Sequence, residues 1–268
     1  MISLRRSSTD RLSAALQSDR TAVLLGLIAV TAAAWIYLLL GAGIAMDEMD
    51  MGDGSVMVMM PAWTPTYAAL VLLMWAVMMA AMMLPSAAST ILKVAGLAPQ
   101  RAEEAAGIAP ALFFVAGYLM VWIGFGGAAT FLQWVLDSRH LLSETMAIGS
   151  ARVAGCLVIA VGLYQMTPLK QTFLRHCGAS DGCIAGDQRW TAPAMVRQGM
   201  RYGASCVGCC AALMCLLFVG GLMNALWLAG ISLWVLAEKT LPWGSGIARL
   251  AGAGLIAWGS VSLAIALS

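Results

Sequence analysis

Long apolar stretches separated by short polar loops run along almost the whole chain. Seven of these stretches predict membrane-spanning helices, each of which needs about 20 apolar residues. They cover residues 21–45, 63–84, 110–136, 147–168, 203–221, 222–237 and 247–267. The second stretch continues past Pro85 toward Lys93, and only a tight turn at 220–224 separates the fifth from the sixth. The pattern predicts an all-α, polytopic helical membrane protein with about seven transmembrane helices.

The basic residues alternate between loops as a seven-span topology requires. Thirteen of the 15 Lys and Arg residues lie in segment 1–20 or in the loops after spans 2, 4 and 6, whereas only Arg139 and Arg152 lie in the alternate loops. Cytoplasmic loops carry an excess of Lys and Arg, so this distribution predicts a cytoplasmic N-terminus. The predicted organisation is a basic cytoplasmic segment, 1–20, followed by one transmembrane bundle domain, 21–268.

Composition supports this class and excludes others. The chain is 61% hydrophobic and 10% charged, whereas a soluble domain carries about 25% charged residues. Fifteen basic residues balance 13 acidic ones without a basic block, which argues against nucleic acid as a partner. The expected surroundings are the lipid bilayer.

Sulfur is abundant, with 19 Met and seven Cys against two His, and 11 of the Met lie between positions 46 and 83. One group lies in the first external loop, among four carboxylates: Met46, Met49, Met51, Met57, Met59 and Met60. Acidic groups concentrate cations, and thioethers select soft ones such as Cu(I). This loop is predicted to capture the metal first. The alternative is that these Met residues simply border an apolar span.

A second group of methionines follows helical spacing on span 2. Met74, Met78 and Met82 are four residues apart and form one ladder, with Met79 and Met83 in the adjacent strip. Packing is the alternative explanation, because Met readily fills gaps in apolar interiors.

The thiols on span 5 also share a helix face. Cys206, Cys209, Cys210 and Met214 follow i, i+3, i+4 and i+8 spacing, and Gly203 and Gly208 would allow a neighbouring helix to approach closely. Helix rise places this group and the end of the Met ladder in the same third of the bilayer, where they could face each other. The predicted metal ligands are Met78, Met79, Met82, Met83, Cys206, Cys209, Cys210 and Met214.

Polar residues near the inner ends of the spans supply two further hypotheses. His176 and Cys177, in the loop after span 4, could receive a metal that leaves the membrane, although an isolated His-Cys pair is often incidental. The adjacent Glu238 and Lys239 close span 6 and could offset each other's burial.

Three stretches together resemble a bacterial family of predicted metal-binding integral membrane proteins. They are residues 75–86, residues 164–177, and the residues from Cys206-Val-Gly-Cys209-Cys210 through Met223-Asn224 to Glu238-Lys239. The resemblance extends over nearly all of the chain from span 2 onward. It implies a multi-pass protein of the bacterial inner membrane with a metal site.

The favoured function is binding of a soft metal ion, Cu(I), for transport or for delivery to a metalloenzyme or a copper-chaperone partner. No ATP-binding or phosphorylation motif supplies energy. Two alternatives stay open: a thiol-redox membrane protein, and a structural or assembly subunit of a membrane complex. Catalysis is less favoured, because both His residues lie outside the spans.

Overall fold

The structure is a computed structural model that describes residues 2–41, 47–50, 56–59, 62–101, 107–143, 146–178 and 190–268. Its helices, numbered in chain order, are α1 (Ile2–Leu39), α2 (Pro65–Arg101), α3 (Ala109–Ser138), α4 (Ala151–Met166), α5 (Pro168–Gly178), α6 (Ala192–Cys215), α7 (Leu217–Gly220), α8 (Ala225–Thr240) and α9 (Gly244–Leu267). A helix therefore lies in each stretch that the apolar pattern selects, and the helical class is confirmed.

Helix length supports five or six spans among the described residues, so the count of seven stays a prediction. Within the described ranges, five helical segments are long and apolar enough to cross a membrane: Asp19–Leu39, Pro65–Leu97, Ala109–Ser138, Ala192–Gly220 and Gly244–Leu267. A sixth is formed if α4 and α5, which meet at a 65° bend, count as one broken span. Helix α8 has 16 residues, about 24 Å of helix, which falls short of a full bilayer core.

Three helix boundaries bear on the predicted spans. Helix α1 is continuous from Ile2 to Leu39, so much of segment 1–20 belongs to the first helix. Helix α2 passes through Pro85 and ends at Arg101, which confirms the predicted continuation. The fifth and sixth stretches are separate helices, because α7 ends at Gly220 and α8 begins at Ala225.

A short β-hairpin is the one element of sheet among the described residues of this helical protein. Strands β1 (Asp47–Asp50) and β2 (Val56–Met59) pair antiparallel, with Asp47 opposite Met59 and Met49 opposite Met57. The hairpin lies between α1 and α2, within the segment that is predicted to capture metal.

The helices pack in two groups: α1, α2, α3 and α6 form one, and α4 and α9 form the other. Helices α5 and α8 contact both groups. Helix α2 packs against α1, α3 and α8, and α6 packs against α3 and α5, while α4 packs against α9. Glycine permits the closest approaches: a Cβ at Gly203 would lie 3.1 Å from Val121 on α3, and one at Gly208 would lie 2.8 Å from the ring of Phe173 on α5. The predicted close approach at these two glycines is confirmed.

We expect alanine at Gly117 to destabilise the bundle, because its Cβ would overlap the carbonyl oxygen of Val196 on α6. Separating two packed helices should cost about 1–3 kcal/mol and lower the thermal unfolding temperature in detergent. Gly124→Ala, on the same helix, is the matched control, since no atom lies within 4 Å of its Cβ position. Equal unfolding temperatures for the two variants would contradict this packing.

Candidate metal centre

Four buried thiols meet where α5 packs against α6. The Cys209 Sγ lies 3.2 Å from the Cys210 Sγ and 3.7 Å from the Cys177 Sγ. The carbonyl oxygen of Cys206 accepts a hydrogen bond from the Cys209 thiol at 3.2 Å. Cys206, Cys209 and Cys210 are at most 1% exposed, and Cys177 is 5% exposed. We call these four residues the thiol cluster.

Helical spacing explains three members, and a bend in the chain brings the fourth. Cys206, Cys209 and Cys210 lie on the face of α6 that points into the core, as their spacing predicts. Cys177 is near the end of α5, which the 65° bend directs back toward α6. The sequence prediction placed Cys177 with His176 as a separate exit. The structure instead buries Cys177 in the thiol cluster, while His176 is exposed and its Nδ1 lies 2.8 Å from the carbonyl oxygen of Thr172.

A half-buried lysine and a buried tyrosine connect the thiol cluster to α2. The Lys239 Nζ lies 2.7 Å from the Cys206 Sγ and 3.1 Å from the Ser86 Oγ. The Tyr118 hydroxyl lies 3.2 Å from the Cys206 Sγ and donates to the carbonyl oxygen of Met83 at 3.1 Å. In an apolar interior, the ammonium of Lys239 offsets negative charge on the thiols far more strongly than it would in water.

The adjacent Glu238 forms an ion pair with Lys170 and not with Lys239. Its carboxylate Oε2 lies 2.6 Å from the Lys170 Nζ, and its Oε1 accepts from the Gln165 amide at 3.1 Å and the Trp234 indole at 2.7 Å. The predicted mutual compensation of Glu238 and Lys239 is therefore wrong. Consecutive helical residues point about 100° apart, so each of the two reaches a different neighbour.

The predicted methionine ligands are buried, but they belong to different parts of the core. Met78, Met79, Met82 and Met83 on α2 and Met214 on α6 are each at most 1% exposed. The ladder meets the thiol cluster through its last turn, because Met83 and Ser86 contact Tyr118 and Lys239. Tyr118 and Lys239 thus bridge the two groups that the sequence predicts to face each other.

The loop methionines are described only in part. Met49, Met57 and Met59 lie in the hairpin strands, whereas Met46, Met51 and Met60 lie outside the described residues. Their predicted role in capturing metal remains a prediction.

Sequence reasoning missed Tyr118 and the contact of Lys239 with Cys206. A tyrosine within an apolar span carries no distinctive spacing. Lys239 offered a signal, since a lysine at the end of an apolar helix requires a partner, but the sequence could not show that the partner is a thiol.

One pair of sulfurs in the thiol cluster is closer together than two sulfur ligands around one metal. Ligand sulfurs bound tetrahedrally at about 2.3 Å from one metal lie about 3.8 Å apart, whereas Cys209 and Cys210 are 3.2 Å apart. Accordingly, no group of three or more His, Cys, Asp or Glu residues in the described part of the chain is already arranged around a metal position. All six cysteines in that part are free thiols, so no disulfide has to break before a soft ion can bind.

Comparison with known sequences identifies the family. The sequence model of a family described as PpoB2, copper chaperone, matches residues 72–262. The chain belongs to this family. The matched PpoB2 region begins in α2 and ends in α9, and it includes the thiol cluster, Tyr118 and Lys239. The match agrees with the resemblance to a metal-binding membrane family. No curated protein and no solved structure matches the chain.

For a PpoB2 chain with this geometry, we expect Lys239→Met to weaken Cu(I) binding by about 10- to 100-fold, the usual effect of removing a group that supports metal ligands. Two thiolates on Cu(I) carry a net negative charge, and the variant leaves that charge uncompensated in an apolar core. Lys239→Arg should retain most of the affinity. Affinity is measured by competition with a chromogenic Cu(I) chelator.

The exposed Lys93 provides the control for that measurement. Lys93→Met removes the same charge and should leave the Cu(I) affinity unchanged. An affinity for Lys239→Met equal to that of the control would show that the ammonium does not act on the metal.

Proposed function

We propose that this protein is a membrane-embedded copper chaperone. It binds one Cu(I) ion as cargo on the thiol cluster and passes it to a metalloenzyme or to another copper-carrying protein. The observation that carries the proposal is the burial of four free thiols inside an apolar helical bundle, with the ammonium of the half-buried Lys239 2.7 Å from one of them. Thiolates are the ligands that soft monovalent copper prefers.

The remaining sulfur extends the same proposal. The loop methionines capture Cu(I) on the outer side of a bacterial inner membrane, and Met78, Met79, Met82 and Met83 convey it along α2. Met214 lies one helical turn beyond Cys210 on the same face and adds a thioether beside the thiols. His176, exposed next to Cys177, receives the ion on the cytoplasmic side. In this account there are seven spans, of which α8 is the sixth, shortened because the carboxylate near its end is buried in protein.

The copper-chaperone proposal is tested by titration of the purified protein under reducing conditions. We expect one Cu(I) per chain to be held against a competing Cu(I) chelator. Binding no stronger than that of a protein whose cluster thiols are all changed to serine would overturn the proposal.

A thiol-redox role is a second candidate, supported by the 3.2 Å approach of Cys209 and Cys210. Alkylation with and without prior reduction separates the two functions. A chaperone should show the same number of reactive thiols in both samples, together with protection by Cu(I). A redox protein should gain reactive thiols after reduction.

A further inference from the structure

A second sulfur-lined site lies at the other end of the α2–α8 contact. A small cavity there has a free volume of about 20 Å³, room for one water-sized particle. Three methionines line it: Met74 and Met78 from α2, and Met223 from the turn that precedes α8. Met74 and Met78 are 2% and 1% exposed, whereas Met223 is half-buried. We call this the methionine cavity.

One wall of the methionine cavity is formed by the last turns of α1, the helix that precedes the hairpin segment in the chain. Trp35, Leu38 and Leu39 line its α1 side, and α1 ends at Leu39, directly before the segment that carries the hairpin. The side chains that form this wall are apolar, so the three thioethers supply the donors that could hold a bare soft cation.

The methionine cavity and the thiol cluster lie along the same helices. From Met78 to Ser86, which contacts Lys239, is eight residues of α2, or about 12 Å. From Leu228, another lining residue, to Lys239 is 11 residues of α8, or about 17 Å. Met82 and Met83 are fully buried on the α2 segment between the two sites.

We propose that the methionine cavity is a separate thioether site that accepts Cu(I) before the ion reaches the thiol cluster. This inference rests on the proposed copper-chaperone function. Three neutral thioethers leave the positive charge of the ion uncompensated, whereas the thiol cluster offers anionic ligands. The ion is therefore bound more weakly at the methionine cavity and moves to the thiols by ligand exchange, without any change in oxidation state.

The test uses a full-length protein in which Cys177, Cys206, Cys209 and Cys210 are all changed to serine, with Ag(I) as a redox-inert probe of a Cu(I) site. We expect this protein to retain weak Ag(I) binding that includes a site at the methionine cavity. Adding M74L, M78L and M223L should reduce the affinity of that site by at least about tenfold, since loss of metal-supporting groups costs about 10- to 100-fold. Leucine closely matches methionine in volume, so the fold should be preserved.

Two companion variants make the result specific. The matched control changes the exposed residues Met120, Met166 and Met200 to leucine and should leave Ag(I) binding unchanged. A third variant changes the six loop methionines and should also retain the weak site. Equal affinities for the cavity variant and the matched control, or loss of the site in the loop variant alone, would overturn the inference.

The outcome is independent of the test of the thiol cluster. If the protein with all its cysteines fails to bind Cu(I), the chaperone proposal fails, and the titration without the cluster thiols still reports on the methionine cavity. If Cu(I) binds the thiols normally but the cavity variant matches its control, only the methionine cavity is excluded.

Discussion

Changing Cys206, Cys209 and Cys210 together to serine is expected to abolish tight Cu(I) binding by the purified protein. Serine hydroxyls are poor ligands for a soft ion, and the remaining Cys177 cannot hold Cu(I) alone against a competing chelator. Cys177→Ser alone should leave three thiols and weaken binding by about 10- to 100-fold. The measurement is copper retained per chain after competition.

The control for the thiol variants is the pair Cys156 and Cys215. Cys156 is exposed and Cys215 is half-buried, and the structure places neither with the thiol cluster. Changing both to serine removes two thiols and should leave copper retention unaltered. If the double variant lost as much copper as the triple variant, copper would bind cysteine without regard to its position.

The buried pair of Lys170 and Glu238 should give the largest change in stability. Both side chains are essentially inaccessible, at 0% and 1% exposure, and their charged atoms lie 2.6 Å apart. Glu238→Leu leaves the Lys170 ammonium unpaired in the core and should cost about 3–5 kcal/mol. The measurement is thermal unfolding in detergent, followed by the exposure of buried thiols to a fluorescent maleimide.

Removing both charges shows whether the loss of stability comes from leaving one charge unpaired or from losing the ion pair itself. The double variant K170M/E238L should recover most of the lost stability, because a buried ion pair adds little over apolar residues of similar size. Arg175→Met, an exposed position on the same helix as Lys170, should be neutral. A double variant as unstable as Glu238→Leu would mean that the ion pair itself holds α5 in place.

We expect the charge pair also to affect the thiol cluster, because α5 carries Lys170 near its start and Cys177 near its end. Pinning the first turn of α5 to α8 fixes the direction in which the helix leaves the bend. The thiol of Cys177 therefore reaches Cys209 through an anchor about 10 Å away along the helix. Stability and the number of available thiols should consequently change together in these variants.

The sequence predicts the helices and the faces of α2 and α6 that carry sulfur, because burial imposes a period of 3.6 residues on a helix. It does not predict which helices become neighbours. Cys177 joins the thiol cluster through the bend between α4 and α5, and periodicity along either helix contains no information on that bend. Lys239 and Tyr118 likewise acquire their roles from helices that are distant in sequence.

The number of spans is also difficult to predict from the sequence. Hydrophobic length identifies α3 and α9 without ambiguity, but α8 and the bent pair α4–α5 are short or broken. Their polar ends are buried against other helices through Glu238, Gln165 and Lys170. A helix whose polar end is satisfied by protein need not follow the length rule for an isolated span.

X-ray absorption at the copper edge of the Cu(I)-loaded, full-length protein tests the central claim most directly. The account predicts a reduced copper ion with only sulfur neighbours, and a loss of that signal when Cys206, Cys209 and Cys210 are changed to serine. Nitrogen or oxygen neighbours in the wild-type protein, or an unaltered spectrum in the serine variant, would contradict the assignment of the thiol cluster as the copper site.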